Sequence, residues 1–182
     1  MKQASVLALA AALCAGIAAG APVRAQSPGP SRAQGLSTAT TIDAKFRLPH
    51  AIDIAEREGR GKATEATLSP FPRGGGVLEV TVMRADKSIV KYSVDANTGE
   101  VTNATEQTLE PYVSTLDAGA LQANTYSMRE AVSAAEAQIA GGVAIGAKVD
   151  NDDKSFAYEV NVFKDGAETG FHVTSDGKAV KS

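Results

Sequence analysis

The chain has 182 residues, 43% of them hydrophobic but only 5% aromatic, with 18 basic against 21 acidic side chains, one cysteine and no tryptophan. This length holds one or two small domains and excludes a large multidomain enzyme, and a formal charge of −3 lacks the basic stripe that nucleic-acid binding requires. A charged fraction of 21% with ordinary hydrophobicity excludes global disorder, and the scarcity of aromatics implies a core of Ala, Val, Ile and Leu.

Lys2 precedes a small and apolar run from Ala4 to Ala21, and Val23-Arg24-Ala25 closes it with small residues where a signal peptidase needs them. Residues 1–25 are therefore read as a signal peptide cut near Ala25. A membrane anchor is the alternative, but the Ala/Gly-rich run is weakly hydrophobic for a span. Cys14 does not fit a lipidation site, because Ala11-Ala12-Leu13 puts the bulky residue directly before it. Cleavage would leave no cysteine and no membrane span, so disulfides and thiol chemistry drop out, and the expected destination is the periplasm or the exterior. Residues 26–45, rich in Ser, Pro, Gly, Ala and Thr, are read as a flexible lead.

The remainder repeats at an offset of 80 residues: Ala51, Ala55, Glu56, Glu79, Val80 and Val82 match Ala131, Ala135, Glu136, Glu159, Val160 and Val162. The first copy is expected over residues 46–104. Pro49 suits the first turn of a helix that ends near Gly59 and Gly61. A strand around Ala63 to Leu68 follows, and then the period switches to two at Leu78, Val80 and Val82, a half-buried antiparallel strand. Ala85-Asp86-Lys87 turns the chain into Val90–Val94, and Asn97-Thr98-Gly99 turns it again before Val101. After a linker over residues 105–125, the second copy spans residues 126–182. Ser127-Met128-Arg129-Glu130 is a capping box, with Tyr126 placed to staple onto Ala131, and Gly141-Gly142 ends the helix. Strands are expected around Ala144–Val149, Tyr158–Val162 and Gly170–Thr174, joined by the tight turns Asp165-Gly166 and Ser175-Asp176-Gly177, with a short last strand near Val180. The fold class is α+β, two tandem helix-plus-antiparallel-sheet units.

The helix with Ala-x-x-x-Ala-Glu, the Glu-Val-x-Val strand and above all Tyr92-Ser93-Val94-Asp95-Ala96-Asn97-Thr98-Gly99-Glu100-Val101 resemble the PepSY domain family. The second copy departs in Phe171-His172-Val173-Thr174-Ser175-Asp176-Gly177-Lys178, which lacks the Asp but keeps the Gly turn. The resemblance implies a small secreted or envelope module without catalytic residues. Related modules occur in propeptides of thermolysin-like metallopeptidases, where they are proposed to restrain protease activity.

The residues offer little chemistry of their own. His50 sits at a helix start and His172 alternates with strand core residues, and neither has a local partner at ligand spacing. Asp150-Asn151-Asp152-Asp153 lacks the Gly and closing Glu of a calcium loop. Arg73-Gly74-Gly75-Gly76 precedes a strand rather than the helix a phosphate loop needs, and reads as a turn. No catalytic, cofactor-binding or metal-binding residue is therefore assigned, and no cofactor is expected. The candidate partner-binding face comprises Glu79, Thr81, Met83, Glu159, Asn161, Phe163 and His172, where Met83 and Phe163 hold matched positions on an otherwise polar sheet face. The leading expectation is a non-enzymatic periplasmic protein that binds another envelope protein, with a peptidase as the candidate partner. The alternative is a small-ligand or metal-binding envelope sensor.

Overall fold

Helix α1 (Leu48–Gly59) buries Leu48, Ala51, Ile52 and Ala55, and helix α3 (Met128–Ala137) buries Met128, Ala131, Val132 and Ala135. The two sets are the same positions eighty residues apart, an i, i+3, i+4, i+7 stripe of mostly small side chains that lets each helix lie close on a sheet. Their starts differ. Pro at the first turn opens α1 behind Arg47, which makes no side-chain cap, whereas Ser127 and Glu130 form the full reciprocal capping box on α3. The computed structural model describes residues 45–70, 76–108, 116–150 and 156–182. The expected signal peptide with its cut near Ala25, the lead as far as residue 44, the turn at Arg73 to Gly75 and the acidic stretch from Asn151 to Asp153 lie outside the described residues. Among the described residues no helix is long and apolar enough to cross a membrane.

Each helix is followed by a four-stranded antiparallel meander. The first runs β1 (Gly61–Pro70), β2 (Gly76–Arg84), β3 (Ile89–Asp95) and β4 (Val101–Gln107); the second runs β5 (Val143–Asp150), β6 (Ala157–Lys164), β7 (Ala167–Thr174) and β8 (Ala179–Lys181). Alternation decides the faces. Leu78, Val80 and Val82 on β2, and Tyr158, Val160 and Val162 on β6, are buried beneath the helices.

The two meanders do not form separate sheets. β1 pairs antiparallel with β5, giving one eight-stranded sheet in the order β4-β3-β2-β1-β5-β6-β7-β8. Both helices lie side by side on the same face, joined by ion pairs from Arg47 to Glu136 at 3.8 Å and from Arg129 to Asp53 at 3.0 Å. Their buried residues share a single hydrophobic cluster. Among the described residues the other face carries no helix over its centre.

Two repeated devices fix each helix to its meander. Glu56 accepts the Ala63 amide and Glu136 accepts the Ala144 amide, both at 2.8 Å. Each bond falls just before a bulge, at Ala63/Glu65 in β1 and at Ala144/Gly146 in β5. The second device is an aromatic ring against a turn glycine. Phe46 lies over Gly99 and Tyr126 over Gly177, each glycine having a positive φ that a side chain would strain. The ring of Tyr126, expected to staple onto Ala131, lies against the Gly177 turn.

The expected linker contains a helix of its own, α2 (Ala118–Ala123), started by the Asp117 carboxylate, which accepts from the Gly119 and Ala120 amides. Gln122 donates to the Met83 carbonyl at 3.0 Å, and Asn124 donates to the Tyr158 hydroxyl at 3.1 Å. The linker thereby runs along the end of the sheet where β2 finishes and β6 begins, with Leu116, Ala118 and Leu121 buried in the common core.

Candidate functional site

Strand register sorts the residues of the helix-free face into transverse rows. One row runs Glu79, Thr67, Gly146, Asn161, Gly170 across β2, β1, β5, β6 and β7. The next runs Lys91, Thr81, Glu65, Lys148, Glu159, His172 and Val180 from β3 to β8. The first row is nearly without side-chain bulk at its centre, and the second is a ladder of alternating charge.

The charged ladder is held by its own pairs. Lys148 and Glu159 stand 2.7 Å apart, both about half exposed, and the hydrogen bond that Lys148 donates to the Glu159 carboxylate holds its ammonium above the ordinary value. His172 Nδ1 lies 3.5 Å from Asp150 Oδ2, a pair reached from β7 over β6 to β5. Opposite charges on neighbouring strands stabilise the sheet modestly, by about 0.2–1 kcal/mol per pair. Their exposure also leaves them able to exchange partners.

Beside this ladder the seam between β1 and β5 forms a shallow depression of about 150 Å³, lined by Glu65, Thr67, Gly146, Lys148, Glu159 and Asn161. Glycines flank Asn161 on both neighbouring strands. Neither Gly146 nor Gly170 has a positive φ. A Cβ built on Gly146 meets nothing nearer than the Asn161 Cβ at 3.9 Å, so neither backbone conformation nor packing demands glycine there. A glycine inside a strand costs stability relative to a residue with a side chain, and it marks a bulge, such as the one β5 makes at Ala144/Gly146, or a place where something else approaches the backbone.

The structure distributes the candidate face unevenly. Glu159 and Asn161 are exposed and adjoin the depression, and Phe163 and His172 are partly exposed on the same face. Glu79 is partly exposed in the row of Asn161, while Thr81 is 8% exposed. Met83 is 1% exposed and belongs to the core cluster, where the linker anchors on its carbonyl, so it is not available to a partner. Residues absent from the sequence-based set, namely Glu65, Thr67, Gly146, Lys148 and Gly170, supply much of the central surface. The signal that points to two of them is glycine at strand positions 146 and 170.

Elsewhere the titratable groups are tied into structure. Burial raises the Glu56 carboxyl above the ordinary carboxylate range, although it accepts the Ala63 amide. Burial also pushes up the Tyr158 hydroxyl, which donates to the Tyr126 carbonyl at 2.7 Å. His50 is exposed and meets Phe46 edge to face. Among the described residues no three His, Cys, Asp or Glu side chains converge as metal ligands.

The Asp95–Glu100 stretch is turn architecture. Asp95 accepts the Asn97 and Thr98 amides, which lowers its carboxyl, and Thr98 Oγ1 accepts the Glu100 amide. Buried Ala96 donates to the Gly76 carbonyl and accepts from the Phe46 amide.

The family model described as "Peptidase propeptide and YPEB domain", PepSY, matches residues 50–105 and again residues 125–178. The crystal structure of a candidate lipoprotein from Clostridium difficile 630 is similar at 21% identity and a TM-score of 0.48, over 78% of this chain and 94% of that one. No curated protein matches the chain.

Proposed function

The chain belongs to the PepSY family of peptidase propeptide and YPEB domains, and from that premise we propose that it is a non-enzymatic protein of the cell envelope or exterior whose helix-free sheet face binds another protein, with a secreted peptidase as the candidate partner. The observation that carries the reading is Gly146 beside Asn161 at the β1–β5 seam, which leaves backbone without a side chain near the centre of a sheet face that no helix covers there among the described residues, and where neither a positive φ nor packing calls for glycine. The depression is about 150 Å³. Small-molecule pockets usually enclose roughly 300–1,000 Å³, so an open face read by a protein surface is favoured over an enclosed ligand.

The role expected of this face is recognition and restraint rather than turnover. The alternating ladder of Glu65, Lys148, Glu159 and His172 offers both signs of charge to a partner and sets its register, while the trough beside it admits a projecting side chain or loop. Export through the signal segment at residues 1–25 brings the protein to the compartment of such peptidases.

The test adds the purified protein to secreted metallopeptidases of the thermolysin type and follows casein hydrolysis, with Asn161→Arg as the control. Slower hydrolysis that the Asn161→Arg protein fails to produce supports the reading. Equal slowing by both proteins removes the face, and no slowing removes the peptidase as partner.

A further inference from the structure

The two ends of the sheet are built differently. At one end β8 is only Ala179–Lys181, which ends in Lys181 and follows Lys178. A short edge strand carrying lysines resists pairing with another chain. At the other end β4, Val101–Gln107, is seven residues long and holds no Lys, Arg or Pro. Among the described residues its outer side has no neighbouring strand, and every residue from Val101 to Glu106 is exposed. Even the residues on the helix side of β4, Ala104 and Glu106, are uncovered, because α1 lies over β1 and β2. The one charge on the strand, Glu106, is already paired with Arg84 of β2 at 3.8 Å.

We infer that β4 is an interaction edge and that its occupant is β4 of a second copy of this chain, paired antiparallel about a two-fold axis to continue the sheet from one molecule into the next. The chemistry of the strand suits self-pairing. A two-fold through Ala104 sets Ala104 against its own mate, Asn103 against Thr105, Thr102 against Glu106 and Val101 against Gln107, so no like charges face each other. The chain already makes such a junction internally. β1 and β5, equivalent strands of the two repeats, meet antiparallel with Ala66 against Ala147 at the centre. β8, three residues long and carrying Lys181, offers far less ladder for such a junction. Pairing through one seven-residue edge buries less area than a permanent dimer uses, so the association is reversible and concentration-dependent.

Sedimentation velocity of the purified protein from about 10 μM to about 500 μM tests this, because an edge contact of this size belongs among weak, transient interfaces. The wild-type protein is expected to self-associate over that range. Ala104→Lys places two ammonium groups face to face and should weaken association by about tenfold or more, Ala104→Glu should do the same, and an equimolar mixture of the two should recover it. Since Ala104 is exposed, both variants keep the wild-type far-UV circular dichroism. A wild-type protein that stays monomeric throughout overturns the inference and leaves the edge to a strand of another protein. Association of Ala104→Lys at wild-type strength overturns it as well.

Discussion

Ala66 and Ala147 face each other across the seam where β1 meets β5, both buried beneath the paired helices, and through them the two repeats become one sheet. Because the seam, the α1–α3 contact and the linker helix all join the halves, unfolding is expected as one transition when urea denaturation is followed by circular dichroism. Ala66→Leu forces a larger side chain into this packed position and should cost about 1–3 kcal/mol. The shift should move the whole transition. A variant in which only part of the signal moves would show that the halves unfold independently.

Glu56 gives a prediction with a sign. Its carboxyl is raised by burial, so the folded protein holds that proton more tightly than the unfolded chain does. The group's contribution is therefore fully present below the ordinary carboxyl range and is lost as pH rises through the raised folded value. Glu56→Gln keeps an oxygen for the Ala63 amide and removes the buried charge. It should match or exceed wild-type stability at neutral pH, with the advantage vanishing near pH 4. Glu56→Ala instead leaves the buried Ala63 amide without this acceptor, at about 1–3 kcal/mol. Urea midpoints measured from pH 4 to pH 7 separate the three proteins.

Asp86, Asp95, Asp176 and Glu130 act in the opposite direction. Each is lowered chiefly by hydrogen bonds to its carboxylate, from Ser88, from Thr98 and Asn97, from Thr174, and from Ser127 respectively. Their stabilisation is present above the ordinary carboxyl range and is lost as pH falls through the lowered folded values. Stability should thus fall again below about pH 4, with a maximum in mildly acidic solution, since the Glu56 contribution lies on the other side. Asp95→Asn should flatten part of the acid limb, which thermal melts from pH 2 to pH 5 would detect.

Gly99→Ala tests the turn that carries the clearest family signature. At φ +75° a side chain costs about 1–2 kcal/mol from backbone strain alone, and its Cβ would meet the Phe46 ring at 2.8 Å. The expected lowering of the thermal midpoint should be reduced, not abolished, by adding Phe46→Ala, because the ring clash is relieved while the φ strain stays.

Legibility in the sequence followed the range of each interaction. The stripes of α1 and α3, the capping box at Ser127 and Glu130, the alternation of β2 and β6 and the Gly99 and Gly177 turns depend on residues within a few positions of each other, and periodicity displays them directly. The pairing of β1 with β5 joins residues such as Glu65 and Lys148, and nothing local to either strand marks it. Burial of Met83 has the same origin. Its strand position puts it on the face opposite α1 and α3, and among the described residues the linker, arriving through Gln122, reaches that end of the sheet. Asp117 ahead of Ala118-Gly119-Ala120 was the available sign of α2, but six residues are too few for a periodic pattern.

Gly146 separates the demands of folding from those of recognition. With an ordinary φ and open space at its Cβ, it can accept a β-branched residue, and Gly146→Thr should stabilise the protein by about 0.5–1 kcal/mol by restricting the unfolded chain and strengthening the strand. The same side chain would stand in the depression between Thr67 and Asn161 and fill the trough. The variant should therefore melt higher than wild type yet restrain the partner peptidase less, a combination that damage to the fold cannot produce. Thermal melts alongside peptidase inhibition decide the matter: a Gly146→Thr protein that is more stable and inhibits as well as wild type would show that the glycine keeps no surface clear for a partner.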